Sequence, residues 1–247
     1  DLDLNAADGS RDCAKAKMIL EYARESASSL LKAYNLSRTG RGKSGTPRGM
    51  TTDEEQDLLR AMLVMAAAGL DGMAKQLIRD ALPTLVKRSA KVRREMQTFI
   101  QRQIASEGDT QPTVAGAKFL ARVLAAESHQ SQVIEEYIRK LTGGSLQSAE
   151  ELMRTATALG LEPSKCGIDK KNVGDIFRIR NQIIHELDMN PAGRQRKRHL
   201  RKQKEMVDGV DALLGIAHAM LTGVAAALKP GKGTAKRGAA DGPTGEE

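Results

Sequence analysis

Apolar and small residues return every three or four positions along most of this chain, the spacing of one face of an α-helix. The first such stretch covers 11–36, with Ala14, Met18, Leu20, Tyr22, Ala27, Leu30, Leu31 and Tyr34 on the repeating face. The pattern stops over 37–51, where four glycines and Pro47 predict a basic flexible loop carrying Arg38, Arg41, Lys43 and Arg48 and no acid. Thr52 followed by Glu55 has the capping-box spacing and opens a helix running through Leu58, Met62, Leu70 and Ile78. Pro83 fits the first turn of a new helix over 83–106. Helices near 113–141 and 146–159 follow, the second closed by Gly160. Asp169 or Asn172 caps a helix to about 187, and Asn190 with Pro191 predicts the start of a long last helix to about 228.

No strand alternation and no repeat of fixed period interrupts this series. The fold class expected is all-α, a helical bundle of about six or seven helices forming one domain over 11–228. From 229 to 247 the chain is Gly, Lys, Ala and Pro, which predicts a disordered tail.

Composition sharpens this reading. Aromatic residues make up 2 % of the chain and Trp is absent, so the core must be aliphatic, and all-β designs are excluded. With 39 Lys+Arg against 31 Asp+Glu, the formal net charge is +8, which makes nucleic acid the leading partner class. Cys13 and Cys166 have neither metal-ligand nor disulfide-framework spacing, the usage of a reduced, cytoplasmic chain. No apolar run approaches the roughly 20 residues of a membrane span, so no membrane partner is expected. The chain starts Asp1, Leu2, Asp3, without an initiator Met or signal-peptide pattern, and is expected to be trimmed from a longer product.

Three segments carry candidate chemistry. Ser37 to Ser44 has part of the spacing of a phosphate-binding loop. It lacks the leading Gly and follows a helix rather than a strand, so a solvated basic loop is the better reading. Between 194 and 204, Arg194, Arg196, Lys197, Arg198, Arg201, Lys202 and Lys204 carry seven positive charges and no acid. Such charges repel along a helix, and a polyanion would relieve the repulsion while releasing counterions.

The third segment is Arg180-Asn181-Gln182-Ile183-Ile184-His185. Histidine suits proton transfer near neutral pH, and arginine suits phosphate oxygens. Spacing alone does not single it out, because Arg194 with His199 and Arg122 with His129 are similar pairs. Its surroundings do. On a helical wheel Val173, Ile176, Phe177, Ile183, Ile184 and Leu187 all fall within about 60° of Arg180, which sets a guanidinium in the middle of the apolar stripe. A charge there needs a partner or a special job. His185 lies about 140° away, on a face shared with Asn181 and Asp188. Either Arg180 reaches round the helix or a second copy completes the site.

Arg180, Asn181 and His185, late in an all-α chain, resemble the signature of the HEPN superfamily. The longer string from Arg180 to Asp188, with the helical region from Asp57 to Val86, is similar to the branch called RiboL-PSP-HEPN. This resemblance implies a bundle that dimerises, a composite cleft holding two motifs, and metal-independent endoribonuclease activity in a toxin–antitoxin or anti-phage setting, with an antitoxin or defence-system partner. Arg180 and His185 carry over as catalytic residues and Asn181 as the polar residue of the motif. In one subgroup a Tyr two places after the His is modified; Leu187 stands there in this chain, so that regulation is not expected.

The function expected is cleavage of RNA through attack of its own 2′-hydroxyl, giving a 2′,3′-cyclic phosphate, without metal or cofactor. The RNA backbone would be held by the 194–204 run and by Arg38, Arg41 and Lys43. The alternative is a non-catalytic HEPN-like dimer that binds nucleic acid or protein, with Arg180 as a buried structural charge. Regulation of DNA by a helix-turn-helix is a third possibility and lacks a short paired-helix signature.

Overall fold

A computed structural model describes residues 11–42, 50–104, 114–190 and 198–229. After a 3-10 turn at Arg11–Cys13 come eight α-helices among the described residues: α1 (Ala14–Gly42), α2 (Asp53–Arg88), α3 (Ala90–Ile104), α4 (Val114–Leu124), α5 (His129–Thr142), α6 (Ala149–Ala158), α7 (Lys170–Glu186) and α8 (Gln203–Leu228). The only β-type pairing among these residues is a bridge between Met189 and Arg198. The all-α bundle expected from periodicity is what the chain forms.

Helix α2 is the axis. It packs along α1 on one side and α8 on another, and touches α3, α5 and α7. Leu59, Leu70, Met73, Leu77, Leu82 and Leu85 of α2 are fully buried, as are Leu213, Met220 and Leu221 of α8. Small residues let the helices approach. A Cβ placed on Gly69 of α2 would stand 2.1 Å from the Ala23 Cβ of α1, so only glycine fits that crossing.

By length and mean hydropathy, α2 and α8 are each apolar enough to cross a membrane, which corrects the expectation that no segment approaches that limit. The reason is that uncharged stretches rich in Ala, Leu and Met, from Ala61 to Leu70 in α2 and from Ala212 to Leu228 in α8, raise the mean hydropathy. In the fold, about half of each apolar window is buried inside the bundle.

Several boundaries differ from expectation. Helix α1 continues to Gly42, so Ser37–Gly42 is helical rather than loop. Ser37 Oγ donates to Glu55 Oε1 at 3.2 Å, tying the end of α1 to the start of α2, and Thr39 Oγ1 donates to the Asn35 carbonyl within α1. The capping box at Thr52 and Glu55 forms in both directions.

Pro83 does not start a helix but lies inside α2. The proline costs about 3 kcal/mol in a helix interior. Leu82, Leu85 and Val86 bury against the core on both sides of it, at about 1.5–3 kcal/mol for each fully buried large aliphatic side chain, and that burial outweighs the cost. The break comes instead at Ser89, whose N–H closes α2 on the Leu85 carbonyl and whose Oγ accepts from Val92 N.

The single helix expected over 113–141 is two. Ser128 caps α5, and Arg122 of α4 reaches Glu136 of α5 at 2.9 Å, folding one helix back on the other. The last helix begins at Gln203, not at 190, and Arg198–Lys202 is not helical. Two bonds with Gln56 hold this stretch: Arg201 N donates to Gln56 Oε1 at 2.8 Å, and Gln56 Nε2 donates to the Arg201 carbonyl at 3.0 Å. Mutual repulsion of the basic side chains agrees with the missing helix. Pro191, the segment 43–49 of the expected loop, and the expected tail from 230 onward lie outside the described residues.

Candidate functional site

Asp169, not Asn172, caps α7: its Oδ1 accepts from Asn172 N at 2.7 Å. The helix ends at Leu187, where the backbone turns left-handed for two residues, Leu187 at φ 50° and Asp188 at φ 59°. Left-handed geometry costs a non-glycine residue roughly 1–2 kcal/mol, so something must hold it.

What holds it is the Asp188 side chain, which is fully buried. It accepts from Arg60 Nε at 2.8 Å, from Arg201 Nε at 3.1 Å, and in a short contact from Arg201 Nη2. Arg60 Nη2 donates to the His199 carbonyl at 2.7 Å, and Arg201 Nη2 donates to Gln182 Oε1 at 3.0 Å. His199 N donates to the Asp188 carbonyl. One carboxylate and two guanidiniums thus fasten α2, the end of α7 and the approach to α8 to one another. Burial pushes the Asp188 carboxyl up, but the hydrogen bonds and charges of Arg201 and Arg60 outweigh it and hold the group below the ordinary aspartate range.

This arrangement corrects two expectations. Asp188 does not share a helical face with His185; it has left the helix and points inward. Arg198 and Arg201, expected to face phosphate, turn to acids of the fold. Arg198 Nη1 lies 2.7 Å from Asp57 Oδ1, its Nε donates to the Leu187 carbonyl, and Arg201 is only 13 % exposed. The sequence did hold a signal for this cluster, the charged Arg60 inside the apolar run of α2, and its partner was the unrecognised part.

Of the other basic residues, Lys202 and Lys204 are exposed and pair with Glu205 and Asp208 one helical turn on. Arg38 lies 3.7 Å from the buried Glu55. Arg41 is in the last turn of α1, with its side chain outside the described residues. Lys43, Arg194, Arg196 and Lys197 lie outside them as well.

Around the motif itself, Val173 and Phe177 are buried, and the apolar stripe then emerges. Ile184, Leu187 and Met189 are exposed, as is Leu200 two residues beyond the bridge partner Arg198. Arg180 is half-buried. Its Nη1 donates to Asn181 Oδ1 at 2.9 Å, while its Nε is buried with no hydrogen-bond partner. No acid pairs with it among the described residues, so the buried partner carboxylate of the structural reading is not there.

Asn181 Nδ2 donates to the Gln147 carbonyl at 3.3 Å. Asn181 thereby lines a groove of about 390 Å3 between the start of α6, at Ser148 and Glu150, and α7, with Phe177 in its wall. His185 is exposed, makes no hydrogen bond or ion pair with any described residue, and is not part of that groove's lining. One copy of the chain therefore brings Arg180 and Asn181 together and leaves His185 apart, as the 140° separation on the wheel requires.

The similar pairs elsewhere have other duties. Arg122 binds Glu136, whose carboxyl is raised by burial but lowered further by Arg139 and Arg122, for a net fall. His199 contributes its backbone to the Asp188 cluster. Among the described residues no group of three His, Cys, Asp or Glu could hold a metal ion. Cys13 and Cys166 are both buried, and burial raises the Cys166 thiol.

The chain matches no protein-family model, no curated protein and no solved structure.

Proposed function

We propose that two copies of this chain form a metal-independent endoribonuclease, with the Arg180–His185 segments of both copies at one cleft. The observation that carries this reading is the half-buried Arg180 guanidinium, with an orphaned Nε and an Nη1 bonded to Asn181, the motif residue that lines the groove where Arg180 itself does not. A buried donor without an acceptor costs about 1–3 kcal/mol, and a phosphate oxygen would supply the acceptor. The exposed Ile184, Leu187, Met189 and Leu200 border the same helix end, an apolar strip suited to a second copy. Likeness of the motif to the HEPN superfamily supports the same assembly.

In this reading the RNA 2′-hydroxyl attacks the adjacent phosphorus and the 5′-oxygen leaves, producing a 2′,3′-cyclic phosphate and a 5′-hydroxyl. His185 takes the 2′-hydroxyl proton or gives one to the leaving oxygen, worth about 10²–10⁴-fold. Arg180 stabilises charge on the phosphoryl oxygens, and Asn181 fixes the Arg180 guanidinium. Exposed Lys202 and Lys204 extend the phosphate-facing surface. A toxin–antitoxin or anti-phage role rests on the resemblance alone, and a cytoplasmic location on the cysteine usage.

A second reading, a non-catalytic binding module, is favoured by the Arg180–Asn181 bond and the solitary His185. Incubation of the full chain with labelled RNA in EDTA separates the two. The ribonuclease reading expects cyclic-phosphate ends that disappear in His185→Ala and Arg180→Met, while both variants keep the wild-type melting temperature. Cleavage that survives both substitutions, or no cleavage at any concentration where the chain is dimeric, assigns the chain to the second reading.

A further inference from the structure

A separate cavity of about 460 Å3 lies between α3, α5 and α6 and uses none of the residues that line the groove beside α7. That volume falls in the range of small-ligand sites. Aromatic side chains are scarce in this protein, six in all, yet three gather at this cavity. Phe99 and Tyr137 line it, their ring centroids 4.7 Å apart, and Phe119 packs edge-on against Phe99 at 6.2 Å. Phe99 is only half-buried.

Arg102, Lys140 and Arg154 line the cavity, all three are exposed, and none forms an ion pair with a described residue. Tyr137 lines the cavity as well and is only 5 % exposed. The charges of Glu95 and Arg102, both of the lining, act on its hydroxyl, and burial together with Glu95 raises it to about 12, so it stays a proton donor at neutral pH. The cavity therefore offers an aromatic face, three cations held in no ion pair with a described residue, the Tyr137 hydroxyl, and two carboxylates, Glu95 and Glu151, of which Glu151 already accepts from Gln147 N.

We propose that this cavity binds a nucleotide, with the base against Phe99, the phosphate at Arg102, Lys140 and Arg154, and base or ribose donors at Glu95. A ligand with only an apolar ring leaves the cations unmatched, and a bare phosphate leaves the aromatic wall and Glu95 without a partner. A nucleoside phosphate carries all three features. The same chemistry is presented by a free nucleotide and by the end of an RNA strand.

Equilibrium dialysis of the full chain tests this with four probes: adenosine 5′-monophosphate, adenosine, ribose 5-phosphate and a five-residue oligoadenylate. Adenosine 5′-monophosphate is expected to saturate one site per chain, and adenosine and ribose 5-phosphate to bind at least about tenfold more weakly. The double variant Arg102→Ala/Arg154→Ala, both positions exposed, is expected to lose about tenfold or more in affinity. Tyr137→Phe keeps the ring and is expected to lose about threefold. Competition by the oligoadenylate assigns the ligand to a strand end, and its failure to compete assigns a free nucleotide. No saturation up to millimolar concentration, ribose 5-phosphate binding as tightly as the nucleotide, or an affinity unchanged in the double variant overturns the proposal. None of these readouts depends on RNA cleavage.

Discussion

The Asp188 carboxylate and the Arg201 guanidinium, thirteen residues apart in sequence, meet in a buried two-point ion pair that closes the chain between α7 and α8. Arg60, from the middle of the bundle, completes the cluster and is 4 % exposed. The motif helix thus ends on a fixed point of the core, and His185, three residues before Asp188, inherits its position from it.

Removing one member leaves an uncompensated charge in the interior, which costs about 3–5 kcal/mol. Asp188→Ala is expected to lower the melting temperature by roughly 10 °C in a chain of this size. Lys202→Ala and Lys204→Ala, at exposed positions of the same basic run, are expected to leave it unchanged. Thermal unfolding of the three variants checks this, and equal melting temperatures would refute a structural role for the cluster.

Acid should act through the same group. Asp188 is held below its unfolded value of about 3.9, so its contribution is complete above that pH and is lost as the pH falls through the lower folded value. Glu136 shifts in the same direction and adds to the loss. Urea midpoints measured from pH 6 to pH 2.5 are expected to fall mainly below about pH 4, with a shallower fall in Asp188→Asn.

Leu187 is 66 % exposed and left-handed, so its side chain gains little from burial and strains the backbone. Leu187→Gly is expected to stabilise the single chain by about 1 kcal/mol. If the apolar strip is the dimer contact, the same substitution weakens association. Chemical unfolding beside sedimentation equilibrium reads both, and a destabilised monomer contradicts the strain argument.

The α1–α2 crossing is tight enough to be tested by a single methyl group. Gly69→Ala is expected to cost about 1–3 kcal/mol through its clash with Ala23, despite the better helix propensity of alanine. Adding Ala23→Gly is expected to restore most of the loss. A Gly69→Ala protein more stable than wild type would show that the helices are not so close.

Much of the fold could be read from local signals because helices depend on local ones. The capping box at Thr52, the cap at Asp169 and the stop at Gly160 each involve residues a few positions apart, and each formed as the sequence implied. Pro83 misled because the burial of Leu82 and Leu85 lies beyond any local window, whereas the break before α5 had a local signal, the Ser128 cap on Ser131 N, that the helical periodicity over 113–141 concealed. In the candidate site, the wheel correctly separated Arg180 from His185 and placed the guanidinium among apolar neighbours. It could not show that Ile184 and Leu187 are exposed while Ile183 stays packed against the core, since that depends on which helices cover α7.

The sequence by itself determined the helical class, the caps and the angular layout of the motif, because hydrogen bonds within a helix and 100° per residue are set by neighbours in the chain. Only the tertiary structure decided which charges face solvent. Arg198 and Arg201 read like Lys202 and Lys204 in the sequence. Folding brings Arg201 to the buried Asp188 and Arg198 to the exposed Asp57, while Lys202 and Lys204 stay exposed beside acids one turn along their own helix, because a buried carboxylate draws the nearest guanidinium whatever its place in sequence.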